Sequence, residues 1–538
     1  MRHTRLKTRL RFALVLFVGT AASATACGKD FLVEDPPHII VAENLYTSLS
    51  GFEAGINGLY AQVRRERQGI NGLNDLMETL WVIGTDNGFG NFVSTPERVF
   101  NEYGIRNSST ASGFNDVWAW LYQIINGANT IIGRADNPTI GWSDADKNRI
   151  LGEAHFIRAW AYRHLRYSFG PVPLNLTESN GSNIKTDWVR APISEVNKQI
   201  ETDLLFAEAN LPATSTNPGK LTKAVAQHYL AELYLDMDDP VKAEEKATAV
   251  IGSGLYSLVT TRYGVEASQP GVPFMDQFKD GNANRNQGNT EALWVWQWQQ
   301  NVIGGGQSIM RRYWVNRFYN NKGILVALDN GGRGIGRLSP TTWALSIYEP
   351  TDDRGSLYAI RKFYLYNDPT NLPTGKRLGD TLKTRTLAVE RASDALWPST
   401  RKWDWVDPLN VNIDEQYNDQ PYLRLADTYL LLAEAQFKQG NLDGAAATLN
   451  IVRARANATP ITAAQVTLDF ILDERSRELL TEEERRETLV RTHTLLARVK
   501  AHNGFSGPLI VARDTIFPIP QTVIDANTGR PMEQNPGY

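Results

Sequence analysis

Apolar residues recur every three or four positions over long stretches of the first half of this chain, and again from about 420 onward. That spacing gathers them on one face of an α-helix and does not fit the two-residue alternation of a half-buried strand. It predicts a helix over 43–66, carried by Leu45, Leu49, Phe52, Ile56, Leu59 and Val63. A second is predicted over 114–134, with Trp118, Leu121, Ile125, Ala128 and Ile132 on one face, then others over 143–168 and 192–211. Pro192 fits a first helical turn, where its missing N–H leaves no bond unmade. The fold class read from the pattern is all-α.

Two later stretches resemble each other. In AELYLDMDDPVKAEEKATAVI, Ala231 precedes Ala243 by twelve residues; in AEAQFKQGNLDGAAATLNIV, Ala433 precedes Ala445 by the same interval. Small residues so placed across a short turn let paired helices pack closely, as in a tetratricopeptide unit. Between the two units, from about 256 to 420, the chain is rich in Gly, Asn, Trp and Tyr and loses helical periodicity. Leu293–Trp298 reads as a strand with Trp294, Trp296 and Trp298 on one face, and Gly304, Gly305 and Gly306 as a loop. This is an irregular, Trp-rich insert with minor β structure; loops of such length usually carry function. The charged run over 468–498 interleaves acids and bases, the pattern of a solvated helix. The tail over 505–538 is extended and broken by prolines.

The N-terminus adds compartment. Arg2, Arg5, Lys7, Arg9 and Arg11 precede an apolar run, Phe12 to Val18, and then small residues to Ala26. That is the order of a secretory signal over 1–26. The single cysteine, Cys27, follows Ala24-Thr25-Ala26 as in a bacterial lipobox and is expected to carry lipid, with 27–42 as an extended tether. Without residues 1–26 the chain has 51 basic and 59 acidic residues, a net charge of −8, which argues against nucleic acid as a partner. No His-Glu-x-x-His, Gly-x-Ser-x-Gly or phosphate-cradling glycine loop is present. No cofactor or metal is expected.

Four segments together resemble the SusD/RagB family of outer-membrane nutrient-binding lipoproteins: Cys27-Gly-Lys-Asp-Phe-Leu; IRAWAYRHLRYSFGPVPL from Ile157 to Leu174; YLRLADTYLLLAEAQFKQG with ERSRELLTEEERRETLVR; and FPIPQ…QNPGY at the C-terminus. Asp352-x-Arg354 and Asn129 are smaller matches. The resemblance implies one compact domain over 43–538, built on about four tetratricopeptide-like helix pairs (scaffold about 43–255 and 420–500). It also implies a lipid anchor at the cell surface of the outer membrane, a glycan ligand, and a SusC-like TonB-dependent transporter as partner. Arg158, Arg475 and Glu478 read as structural. The ligand site is expected on the insert and the N-terminal loops. Candidates are Asp86, Asn87 and Phe89 on the Gly84–Asn91 turn, Arg311, Tyr313 and Trp314 after the triple glycine, and Trp343. Aromatic rings suit the C–H faces of sugars, and Asp, Asn and Arg suit their hydroxyls. A surface glycoside hydrolase, a peptide-capturing relative and a protein-binding scaffold are the alternatives.

Overall fold

The computed structural model describes residues 42–69, 78–91, 95–111, 113–387 and 395–538. The signal segment, Cys27 and the tether up to residue 41 lie outside the described residues. After a turn of helix at Ala42–Leu45, α1 runs Leu49–Gln68, with the Ser48 hydroxyl capping it by accepting from the Gly51 N–H. Helices α2 (Thr95–Glu102), α3 (Phe114–Arg134), α4 (Asp144–Phe169), α5 (Ile193–Asn210), α6 (Lys223–Asp236) and α7 (Pro240–Ile251) follow. Past the insert come α8 (Leu425–Lys438), α9 (Leu442–Arg455), α10 (Leu468–Leu479), α11 (Arg485–Arg491), α12 (Leu495–His502) and α13 (Gln521–Ala526). The chain is mostly helical, as its periodicity predicts.

Consecutive helices pack in series: α3 on α4, α4 on α5, α5 on α6, α6 on α7, then α7 directly on α8 and α8 on α9. The two look-alike hairpins are therefore neighbours in space although nearly two hundred residues separate them. Their alanines do what the spacing implies. Ala231, Ala243, Ala433 and Ala445 are all buried at the helix crossings. The two turns also use one chemistry. Asp238 (φ 58) and Gly440 (φ 77) take the left-handed conformation, and the next residue, Asp239 or Asn441, caps the second helix by accepting from Lys242 N (3.2 Å) or Gly444 N (2.9 Å).

Among the described residues the strands form four two-stranded antiparallel pairs, and the insert contributes at least one strand to each. These are β1 (Gly88–Gly90) with β3 (Leu338–Pro340), β2 (Ala292–Trp296) with β8 (Gln420–Arg424), β4 (Ile360–Arg361) with β7 (Ser399–Thr400), and β5 (Phe363–Leu365) with β6 (Thr381–Lys383). The β2–β8 pair closes the excursion, so the chain returns beside its exit point just before α8. Trp294, Trp296 and Trp298 are buried there, Trp296 stacked on Tyr422 at 3.9 Å. The strand platform is core.

One expectation is corrected. The charged run over 468–498 is neither one helix nor solvated. It breaks into α10, α11 and α12, with Thr481 (φ 67) and His493 (φ 56) in the left-handed region at the breaks. Its charges point inward. Glu478 accepts from Arg424 (2.9 Å), Arg354 (3.1 Å) and Arg455; Glu482 accepts from Arg424 (2.6 Å) and Lys402 (2.5 Å). Arg475 donates to Glu483 (2.7 Å), and Arg491 forks onto Glu434 (2.6 and 2.7 Å). Most of these partners come from other elements, often more than fifty residues away. The local alternation of sign cannot distinguish such a lattice from a wet helix face.

Candidate ligand-binding site

The expected binding turn is folded into this lattice. Asp86 is fully buried; its carboxylate accepts from Arg485 Nε and Nη2 (both 2.8 Å) and Arg498 Nε (2.6 Å). Burial pushes its pKa up, and the two guanidiniums outweigh that and hold it at about 2. Asn87 is buried, and its carbonyl accepts from Thr341 N. Phe89 lies in β1, edge-on to Trp397 at 5.3 Å. After the triple glycine, Arg311 is also buried and ties loops together. It donates to the carbonyls of Arg333 (3.2 Å), Ile413 (2.6 Å), Glu415 (3.0 Å) and Trp405. Burial lowers its pKa to about 10. Tyr313 is buried under the Arg337 guanidinium, 5.4 Å from the ring centroid, and Trp314 is buried against β1. Of the seven candidates only Trp343 keeps a partly open face, stacked on His502 at 4.3 Å. The other six are buried in the protein, and Asn87 Oδ1 has no hydrogen-bond partner there.

An open cleft of about 680 Å³ lies elsewhere, between α3, the segment 173–188 and α13. Its construction starts at the end of α4. Gly170 (φ 74) stops the helix, and Pro171 and Pro173 force extended chain. The strap that follows leaves and returns at one point, where Ala191 N donates to Val172 O at 3.0 Å. Side chains of α3 and α4 pin its first half. Tyr122 donates to Pro173 O (2.7 Å), Tyr162 to Asn175 O (2.9 Å), and Asn129 to Asn175 O (2.9 Å) and Thr177 O (3.1 Å). Asn126 exchanges two bonds with the Ser179 backbone, at 2.7 and 3.1 Å. Asn527, just past α13, pins the second half by pairing both its amide groups with the Trp188 backbone at 2.7 and 2.9 Å.

The C-terminal motif supports this base. Phe517 N donates to Ser168 O (2.7 Å), and the Asn535 amide to Phe169 O (2.9 Å) and Phe517 O (2.7 Å). Arg158, one of the residues read as structural, donates to Asp203 (2.7 and 2.9 Å) and Asn129 Oδ1 (2.8 Å), fixing the amide that holds the strap.

Three aromatic residues line the cleft: Trp118 at its floor, Tyr122 beside it (ring centroids 5.1 Å apart), and a half-buried Trp188 on the strap. Ile184, Val523 and Met532 add apolar surface, and Asn115, Gln123 and Thr522 present exposed polar groups at the rim. Among the described residues, Lys185, with Nζ 4.6 Å from the Trp188 ring centroid, is the one charged residue lining the cleft. A concave, largely apolar surface with a few convergent amides is the general form of a small-ligand site. Flat rings beside uncharged donors and acceptors match the two handles of a neutral sugar. Periodicity alone misses this site, because the strap has none. The available signal was the set of asparagines at 126, 129, 175 and 527.

Among the described residues no group of three or more His, Cys, Asp or Glu side chains is placed to hold a metal ion, and no helix is long and apolar enough to cross a membrane.

Residues 290–538 match the model of the SusD family (SusD/RagB), and residues 52–235 match a SusD-like model described as starch-binding and associating with the outer membrane. Among curated relatives, SusD-like protein P2 of Formosa agariphila is 31% identical over 232 residues, 43% of this chain and 44% of that protein, so under half of that relative's length is spanned. The starch-binding protein SusD of Bacteroides thetaiotaomicron is 28% identical over 432 residues, 74% of this chain and 75% of that one. Among solved structures, a SusD homologue of Bacteroides thetaiotaomicron superposes with a TM-score of 0.72 at 20% identity, covering 93% of this chain and 99% of that one. A laminarin-binding SusD-like protein gives 0.69 at 21%, covering 90% and 99%. At such identities the superpositions speak for the fold. With family models matching residues 52–235 and 290–538, together most of the chain, this chain belongs to the SusD/RagB family.

Proposed function

We propose that this protein is a glycan-binding lipoprotein of the outer membrane, which holds a neutral oligosaccharide in the cleft between α3, the strap and α13. The observation that carries the reading is the cleft itself: Trp118, Tyr122 and Trp188 around an opening whose rim is amide and hydroxyl. Relatives named for binding starch and laminarin support the ligand class. Cys27 supplies the lipid anchor, and the captured glycan passes to a SusC-like TonB-dependent transporter. The protein binds its ligand without cleaving it.

The test is affinity electrophoresis of the chain from Gly28 against starch, laminarin and other neutral polysaccharides, with reducing-sugar release assayed in the same samples. Retardation that Trp188→Ala and Gln123→Ala weaken, with no sugar released, supports the reading. Released sugar would replace it with a surface glycoside hydrolase. Retardation by no glycan would replace it with a peptide-capturing or scaffold role. Co-purification of a TonB-dependent barrel from outer membranes, lost on Cys27→Ala, tests delivery and anchoring together.

A further inference from the structure

A second open cleft, of about 590 Å³, lies along the outer face of α1. Its wall is a row of small residues, Ala54, Asn57, Gly58 and Ala61, one helical turn apart. A Cβ added at Gly58 would meet nothing within 4 Å, so the space in front of the helix is open. Opposite stand Lys220 and the end of β2, with Ile303 wholly exposed at the lip. Exposed small residues alone mean little, but two further features point to a ligand. Trp296 lines the cleft, is 2% exposed, and its indole Nε1 has no acceptor in the protein. A buried donor without a partner is costly unless something outside the chain accepts from it.

The second feature is Arg64. Its Nη2 donates to Gly304 O (2.5 Å), its guanidinium lies 5.5 Å from the Trp298 ring centroid, and its buried Nε has no acceptor. Among the described residues no carboxylate forms an ion pair with it. Burial accordingly lowers its pKa, with Asp419 opposing only through a longer-range field. Lys220 differs, since Glu153 Oε2 takes its charge at 3.0 Å. Among the described residues lining the cleft, Arg64 is thus a cation with no carboxylate at ion-pair distance. A guanidinium in that condition is suited to a planar carboxylate arriving from outside, bound through two parallel N–H donors.

We propose that this cleft is a second saccharide site, and that it takes an acidic sugar chain, a uronate polymer, with Arg64 on the carboxylate, a sugar ring laid along Ala54, Gly58 and Ala61, and Trp296 Nε1 donating to a ring substituent. The site goes beyond the neutral-glycan cleft, which sits on the α3 side and contains no arginine.

The test uses alginate as the acidic probe and laminarin as the neutral one, with binding read by affinity electrophoresis and calorimetry. Gly58→Phe fills the open space, and it replaces glycine inside a helix, so thermal unfolding shows it folded. Arg64→Gln removes the charge. Each is expected to weaken alginate binding at least tenfold and leave laminarin unchanged, while Trp188→Ala does the reverse; added salt weakens only the alginate complex. Alginate binding that survives Gly58→Phe, alginate binding lost in Trp188→Ala, or no alginate binding by the unaltered protein each overturns the proposal. Alginate held with no neutral glycan bound would sink the first cleft and leave this one standing.

Discussion

The ERSRELLTEEERR segment and the strap over 173–188 are opposites. The first is dense with charge, and nearly every charged group is buried against another. The second holds few charges and is largely exposed, yet it walls an open cleft of about 680 Å³. The difference shows where a chain can keep ligand chemistry. A carboxylate and a guanidinium attract each other so strongly away from water that, once the fold brings them together, neither is left for an outside molecule. Amides and half-exposed rings gain less from each other and stay available. The family motifs, rich in Arg and Glu, therefore build the frame. On the proposed reading, ligand contacts fall to segments with few charges.

The largest expected effect tests the frame. Asp86→Ala removes the anion between two buried guanidiniums, Arg485 and Arg498. Leaving buried charge unpaired costs about 3–5 kcal/mol, visible as a shift of the urea midpoint with no selective loss of glycan binding. A variant of full stability that had lost its glycan would return Asp86 to the ligand site and erase the contrast between the two regions.

Next in size is the dependence of stability on pH. Asp86 is held at about 2, below its unfolded value of about 3.9. Its contribution is present above the unfolded value and is lost as pH falls through about 2. His164 acts in the same direction. Burial, helped by Arg163, lowers it to about 3, so stability falls as acid protonates the unfolded chain from about 6.5 downward. Glu487 acts oppositely: burial raises it to about 8, and what it contributes is lost as pH rises through that value. On these three groups stability is greatest between about pH 4.3 and 6.5, where the opposite slopes of His164 and Glu487 cancel, and falls from about 6.5 to 8 through Glu487. Asp86 alone accounts for about 2–3 kcal/mol of the acid loss. Urea midpoints across pH check this, and Glu487→Gln is expected to flatten the alkaline limb. An unchanged alkaline limb would mean that Glu487 is ionised in the folded state.

Much of the scaffold is legible because helix formation is local. The apolar stripe of α3 gives its limits to the residue, Gly170 marks the end of α4, and the alanine pairs mark both hairpins. The shared face of Trp294, Trp296 and Trp298 is legible for a similar reason, since it follows from alternation along a strand. The fate of 468–498 is not legible, because its partners Arg354, Lys402, Arg424 and Arg455 are distant in sequence. The Gly84–Asn91 turn misleads in the same way. Asp and Asn at a glycine-rich turn signal chemistry, but the group Asp86 serves here is Arg485, about four hundred residues on. The strap carries too weak a local pattern to announce itself. It becomes visible only when Asn126, Asn129 and Asn527 are seen to bind its backbone.

The strap supplies the third prediction. Trp188 is half-buried and held through its backbone by Asn527, so Trp188→Ala leaves those hydrogen bonds in place. It removes one aromatic face from the sugar and is expected to weaken neutral-glycan binding about tenfold, about 1.4 kcal/mol, with little change in the melting temperature. Gln123→Ala, which removes a single uncharged hydrogen-bonding group, is expected to cost about 0.5–1.5 kcal/mol of binding. If both variants bind like the unaltered protein while stability is unchanged, the open cleft is not the neutral-glycan site.

The smallest effect is expected where the two regions come closest to exchanging roles. Trp343 alone among the insert and turn candidates keeps an open face, but its ring is already used: His502 stacks on it at 4.3 Å and the Arg498 guanidinium sits 5.0 Å from its centroid. Arg498 in turn holds Asp86. The ring therefore belongs to the outer layer of the charge lattice. Trp343→Ala should cost about 1 kcal/mol of stability, the scale of an aromatic pair with a cation–π contact, and leave glycan affinity unchanged. A binding loss as large as that of Trp188→Ala, with the urea midpoint unmoved, would show that the insert does present an aromatic face to sugar. The boundary between frame and ligand surface would then run through Trp343, outside the α3 cleft.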